Sequence, residues 1–138
     1  MYATPYIFFN GNCAEALSYY GKVFGAHVVS STSYGDTPAK DQFPKEMHDK
    51  VIHAVVMIGN TAVMASDDCT PNGAAGTHGG YSLSVSVDTP EMAHKVFDGL
   101  ADGGTVTMAM DKTFFAAAFG AVHDRFGVRW MVICEKAH

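Results

Sequence analysis

His53 lies in the middle of an apolar run, Val51 to Ile58, and Asp67 closes the next one, which starts at Thr61. An imidazole titrates near neutrality, so it can serve as a general base or as a hydrogen-bond donor. A carboxylate beside it can orient the ring. His53 and Asp67 are therefore the candidate catalytic pair. Each also has a plainer reading. An unpaired polar ring among apolar neighbours is costly, so His53 also reads as a core histidine satisfied by Asp67 or a serine, and Asp67 as the start of a linker. Arg129 is the next candidate, because a guanidinium holds a carboxylate or phosphate with its planar fork. Its competing partners are Asp124 and Glu135. Phe114, Phe115 and Phe119 provide an aromatic wall or additional core.

Metal and redox chemistry find less support. The chain has seven histidines, yet His48 and His53 are five apart and no H-x-x-x-H or H-E-x-x-H pattern occurs. An alternative cluster would combine His53 with His123 or His78. Cys13, Cys69 and Cys134 are odd in number and form no C-x-x-C pair, which implies neither a disulfide framework nor a zinc knuckle. A reducing cytoplasm suits them. Cys134 is expected to pack as a small hydrophobe, and Cys69 lacks an activating base. The glycine-rich stretch before Tyr81 has no following Lys-Ser/Thr and reads as a linker rather than a phosphate loop. No cofactor and no metal are expected.

These residues need a scaffold, and 138 residues supply one domain's worth of chain. With 48% hydrophobic and 17% charged residues, the chain is too apolar for disorder and too poor in charge for a coiled coil. Its net charge of -5 opposes a phosphate backbone, so no nucleic acid is expected as a partner. The start, MYATPYIFFNGN, lacks a basic segment and does not read as a signal peptide. The longest charge-poor run is broken at Gly59-Asn60 and is too short to span a membrane.

Pro5 to Asn10 reads as a strand. Asn12 then opens a helix as N-cap, with Glu15 three residues on in a capping-box-like pattern, and Gly25 ends it. His27 to Ser33 reads as a strand, and 34–49 as a polar loop. Val51–Ile58 and Thr61–Ser66 form a hairpin around Gly59-Asn60. After the linker, Tyr81 to Val87 alternates serine with Leu83, Val85 and Val87. Thr89-Pro90 opens a second helix, stopped by Gly103-Gly104. Thr105–Met110, Phe119–His123 and Val128–Cys134 complete three more strands.

The order β-α-β-β-β thus occurs twice, an internal repeat of about 65–75 residues. The expected fold class is α+β: two βαβββ modules forming a curled eight-stranded mixed sheet around a cleft, with the helices outside. The expected organisation is a single domain, module one at about 1–67, a linker at about 68–80 and module two at about 81–138. Alternation assigns Ile7, Phe9, His53, Val55, Met57, Val63, Ala65 and Asp67 to the cleft in the first module. In the second it assigns Ser82, Ser84, Ser86, Arg129, Met131 and Ile133. The candidate ligand-binding set is Phe9, His53, Met57, Ser82, Ser84, Phe115, Arg129 and Met131.

The stretches FFNGNCAEALSYYGKVFGA, VIHAVVMIGNTAVMASD and SLSVSVDTPEMAHKVFDGLADGGTVTMAMDKTFFAAAFGAVHDRFGVRWMVICE cover almost the whole chain. They resemble the PhnB-like branch of the vicinal oxygen chelate superfamily, which includes glyoxalases, extradiol dioxygenases and bleomycin-resistance proteins. The TFF…FG…DRFGVRWM portion is the most specific. The resemblance implies a divalent metal held by His, Gln or Glu on the first and last strand of each module. Carried over, those positions fall near Pro5, Ala65, Ser82 and Met131, none of which suits a hard cation. The branch also carries a 3-demethylubiquinone methyltransferase label, but Asp102-Gly103-Gly104 is a helix stop, not a G-x-G-x-x-G loop after a strand. The expectation is a cytoplasmic homodimer that binds a small organic molecule without the metal. The alternative is an enzyme, either a metal-assisted lyase or dioxygenase with relocated ligands, or a metal-free acid–base catalyst using His53.

Overall fold

In each half of the chain, a strand runs into a helix and the chain then returns as three antiparallel strands, the last lying parallel to the first. The computed structural model describes residues 1–68 and 79–135. The chain divides into two compact units, Met1–Gly76 and Thr77–His138.

The first unit comprises β1 (Tyr6–Phe9), α1 (Cys13–Phe24), β2 (His27–Ser33), β3 (Val51–Ile58) and β4 (Thr61–Asp67). Its sheet has the order β1-β4-β3-β2. β1 pairs parallel with β4, and β3 pairs antiparallel with both β4 and β2. The β3–β4 hairpin turns at Gly59, whose φ of 58° is the left-handed conformation that the first centre of a two-residue hairpin turn takes. Alternation then divides the sheet. Ile7, Phe9, Ala54, Val56, Val63 and Ala65 are buried on one face, and α1 covers them with Cys13, Ala16, Leu17 and Tyr20. The opposite face carries Tyr6, Phe8, His53, Val55, Met57 and Met64.

Residues 34–49 are more than a polar loop. They form three short 3₁₀ turns, Tyr34–Asp36, Lys40–Gln42 and Lys45–Met47. Tyr34 is buried and meets Phe43 edge-on at 4.7 Å. The His48 imidazole Nε2 lies 2.9 Å from the Lys40 carbonyl and 3.1 Å from that of Phe43, tying the turns together.

The second unit comprises β5 (Leu83–Val87), α2 (Pro90–Ala101), β6 (Thr105–Asp111), β7 (Ala116–His123) and β8 (Arg129–Glu135), in the sheet order β5-β8-β7-β6. As the sequence implies, Thr89 caps α2: its hydroxyl accepts from the Met92 amide at 3.1 Å. Ala93, Val96, Phe97 and Leu100 form the buried stripe of α2, set against Ala116, Ala118, Val122, Trp130, Val132 and Cys134. The observed β7 is longer than the expected strand at 119–123, because Ala116 to Ala118 also join the ladder with β8.

Helix and sheet approach closely at Gly120. A Cβ there would fall 2.7 Å from Phe97 Cε2 and 3.2 Å from the Met110 backbone. Gly120→Ala is therefore expected to destabilise the protein by about 1–3 kcal/mol through overpacking. The midpoint of urea denaturation should fall accordingly, with its slope unchanged.

Candidate functional site

The polar residues separate into those that hold the fold and those left facing outward. Asp67 belongs to the first group. It is 1% exposed, and its carboxylate accepts from the Cys13 amide at 2.9 Å and the Val51 amide at 3.0 Å. Its carbonyl accepts from the Tyr34 hydroxyl at 2.7 Å. Asp67 thus caps α1 from 54 residues away, and Asn12, the expected N-cap, makes no side-chain capping bond. The expected pairing of Asp67 with His53 is corrected: strand alternation sends the carboxylate to the α1 side and the imidazole to the other. The acid pushes on its neighbour. Burial first, then the Asp67 charge, push the Cys13 thiol up to about 12.

His53 stands on the open face of the first sheet, where its Nδ1 lies 3.2 Å from the Tyr6 hydroxyl. The rings are 5.8 Å apart, and Tyr6 also stacks at 4.9 Å on Phe8. Met57 shares this face. Phe9 does not. It is 1% exposed on the α1 side, paired with Asp67 in the β1–β4 ladder, and its assignment to a ligand surface is corrected. Ile7, Val63 and Ala65 turn inward with it. Tyr6 was missed because YIFF is apolar on both parities. The phase was legible in the second copy, where Val87 ends β5 on the helix side just before α2.

The open face of the second sheet contains most of the expected residues. Ser84 pairs with Met131, and Ser86 with Ile133, in the parallel β5–β8 ladder. Across the other side of β8, His123 lies opposite Arg129, Ala121 opposite Met131 and Phe119 opposite Ile133. Ser82 is exposed just ahead of β5. Phe115 precedes β7, 46% exposed, and makes edge-on contacts at 5.2 Å with both Phe114 and Phe119. Cys69 and His78 lie outside the described residues.

Arg129 does not pair with Asp124. That carboxylate is buried and engaged: Oδ1 accepts from Phe126 at 2.9 Å and Val128 at 3.0 Å, and Oδ2 from the Trp130 indole at 2.9 Å. Arg125, in the same turn, forks onto the Asp102 carbonyl at the end of α2 and forms an exposed ion pair with the Asp102 carboxylate at 3.2 Å. The DRFGVRW stretch is thus a turn and a helix cap.

A divalent metal finds no matching donors. Pro5 precedes β1, Ala65 is fully buried, Ser82 is a lone hydroxyl and Met131 a thioether. One residue on, Tyr6, Ser66 and Leu83 supply no better set, and among the described residues no group of three His, Cys, Asp or Glu converges. Among the described residues, no helix is long and apolar enough to cross a membrane.

The doubled βαβββ order and these two sheets define a known class. The chain belongs to the Glyoxalase/Bleomycin resistance protein/Dioxygenase superfamily, whose model matches residues 4–132. It is similar to protein YjdN of Escherichia coli, 36% identical over 96% of this chain and 95% of that one. Among solved structures, protein PA1353 of Pseudomonas aeruginosa is 41% identical, with a TM-score of 0.87 over 99% of both chains. A PhnB protein from Bacillus cereus, also described as a 3-demethylubiquinone-9 3-methyltransferase, is 27% identical, with a TM-score of 0.81 over 97% of this chain and 99% of that one.

Two outcomes test the inner polar framework. Asp67→Asn turns one acceptor into a donor facing an amide, and is expected to cost about 1–3 kcal/mol by chemical denaturation. The folded state keeps the Cys13 proton to about 12, against an ordinary 9.0. The resulting stability is whole below pH 9 and is lost as pH rises toward 12. Cys13→Ala should flatten that part of the stability–pH curve.

Proposed function

We propose that the chain binds a small, partly apolar organic molecule on an open sheet face, without the divalent metal that the superfamily's enzymes use. The observation that carries this reading is the make-up of the second sheet's open face. Met131, Ile133 and Phe119 give it an apolar floor, and Ser84, Ser86 and Arg129 give it a few polar groups, the usual composition of a ligand site. The same reading places the protein in the cytoplasm, in keeping with the buried free thiols of Cys13 and Cys134.

A second reading, acid–base catalysis by His53, is favoured by its bond to Tyr6. Two measurements decide between them. Titration of ¹⁵N-labelled protein with a panel of small aromatic compounds should shift the Ser84, Ala121 and Met131 amides, and His53→Gln should leave that binding intact. Purified protein carrying stoichiometric zinc, nickel, iron or manganese, with no shifts on either sheet, would overturn the binding reading.

A homodimer is part of the same proposal. Strands β2 and β6 are sheet edges with exposed apolar side chains, Val29 at 59% and Met108 at 53%, of a kind that a second copy covers. Light scattering should give a dimer for the native chain. The doubly charged variant Val29→Lys/Met108→Lys should run as a folded monomer.

A further inference from the structure

We propose that the open face of the second sheet takes an amphipathic organic carboxylate, with its carboxylate on Arg129 and its apolar body lying along β8 toward Phe119. The proposal rests on the small-molecule reading above and names the chemistry of the ligand.

Among the described residues, Arg129 is a cation without a counter-charge. Its Nε is buried and has no hydrogen-bond partner among the described residues, and no ion pair there involves it. A carboxylate on the guanidinium would supply the charge that no described acid supplies. The acid nearest in sequence, Asp124, is occupied by Phe126, Val128 and Trp130. The guanidinium lies close to Gly79, where a Cβ would sit 3.5 Å from its Nη2.

The register arranges the rest of the face in rows. The first row holds Arg129 and His123, both able to donate to an anion. The second holds Ser84, Met131 and Ala121. The third holds Ile133 and Phe119, and Asp111 of β6 occupies the register position beside Phe119. Polarity therefore runs from a cation at one end, through an apolar floor, to an aromatic ring with a carboxylate beside it. An anionic head is drawn to the Arg129 end and repelled from the Asp111 end. Four residues separate Arg129 from Ile133, which at strand rise is about 13 Å, the reach of a carboxylate carrying a ring or chain of about eight to ten carbons. One planar fork matches the two oxygens of a carboxylate. Among the described residues of β5, β7 and β8, a dianion would find Arg129 as the one permanent cation, on a chain of net charge -5.

The test uses 4-phenylbutyrate and its neutral amide, titrated into ¹⁵N-labelled protein. The native chain is expected to bind the acid about tenfold more tightly than the amide, with shifts at Met131, Ala121 and Ser84. Arg129→Gln should abolish the preference and leave the amide affinity unchanged, Arg129→Lys should keep part of it, and Phe119→Ala should weaken both ligands. Unchanged thermal melting and amide dispersion in Arg129→Gln confirm that the fold survives. Equal affinity for acid and amide in the native chain, or a preference that survives Arg129→Gln, overturns the carboxylate site and leaves the small-molecule reading standing. Shifts confined to the first unit overturn the site as well. Binding of neither probe at millimolar concentration overturns both.

Discussion

Burying a carboxylate costs several kcal/mol unless charges or hydrogen bonds replace the lost water, and among the described residues two are buried, Asp67 and Asp124. Asp67 meets the cost with two backbone amides, one at the start of α1 and one at the start of β3. The bonds join three parts of the first unit that are far apart in sequence, and they fix where α1 begins. A negative charge at a helix N-terminus is also favoured by the aligned peptide dipoles. Asp124 meets it with two amides of its own turn and the indole of Trp130. The largest buried side chain of the second unit is thereby anchored to the turn that enters β8.

These commitments decide what remains for function. A carboxylate held by amides on the helix side of a sheet cannot orient an imidazole on the opposite side. The chain uses its buried acids to set helix and hairpin positions, and leaves its open faces with a phenol–imidazole pair in one unit and a guanidinium in the other. The motif that makes the family recognisable follows the same division. In DRFGVRW, Asp124, Arg125 and Trp130 hold the turn and the end of α2, and Arg129 lies on the open face of the sheet.

The element order was legible because its signals are local. Gly25 takes the left-handed φ of 72° that ends a helix, Gly59 turns a hairpin, and Thr89 caps α2. The serine alternation of β5 gave the correct phase for the second sheet. The first sheet misled for two physical reasons. Its first strand, YIFF, is apolar on both parities, so alternation carries no phase. The true cap of α1 is Asp67, which no pattern around Asn12 can reveal, because the bond spans 54 residues. The site inherited both errors, with Phe9 placed on the wrong face and Tyr6 overlooked.

The replacement of Asp67 by Tyr6 as the partner of His53 changes what the imidazole presents. A carboxylate accepts the proton on Nδ1, so Nε2 is left with its lone pair, the arrangement of a general base. A phenol can donate to a bare Nδ1 or accept from a protonated one, so the contact with Tyr6 leaves Nε2 open to either role, donor or base. Each open face then offers one nitrogen group within an apolar surround, the imidazole in the first sheet and the guanidinium in the second. A carboxylate on Nδ1 would have fixed the imidazole as a base; this fold has committed that carboxylate to its core instead.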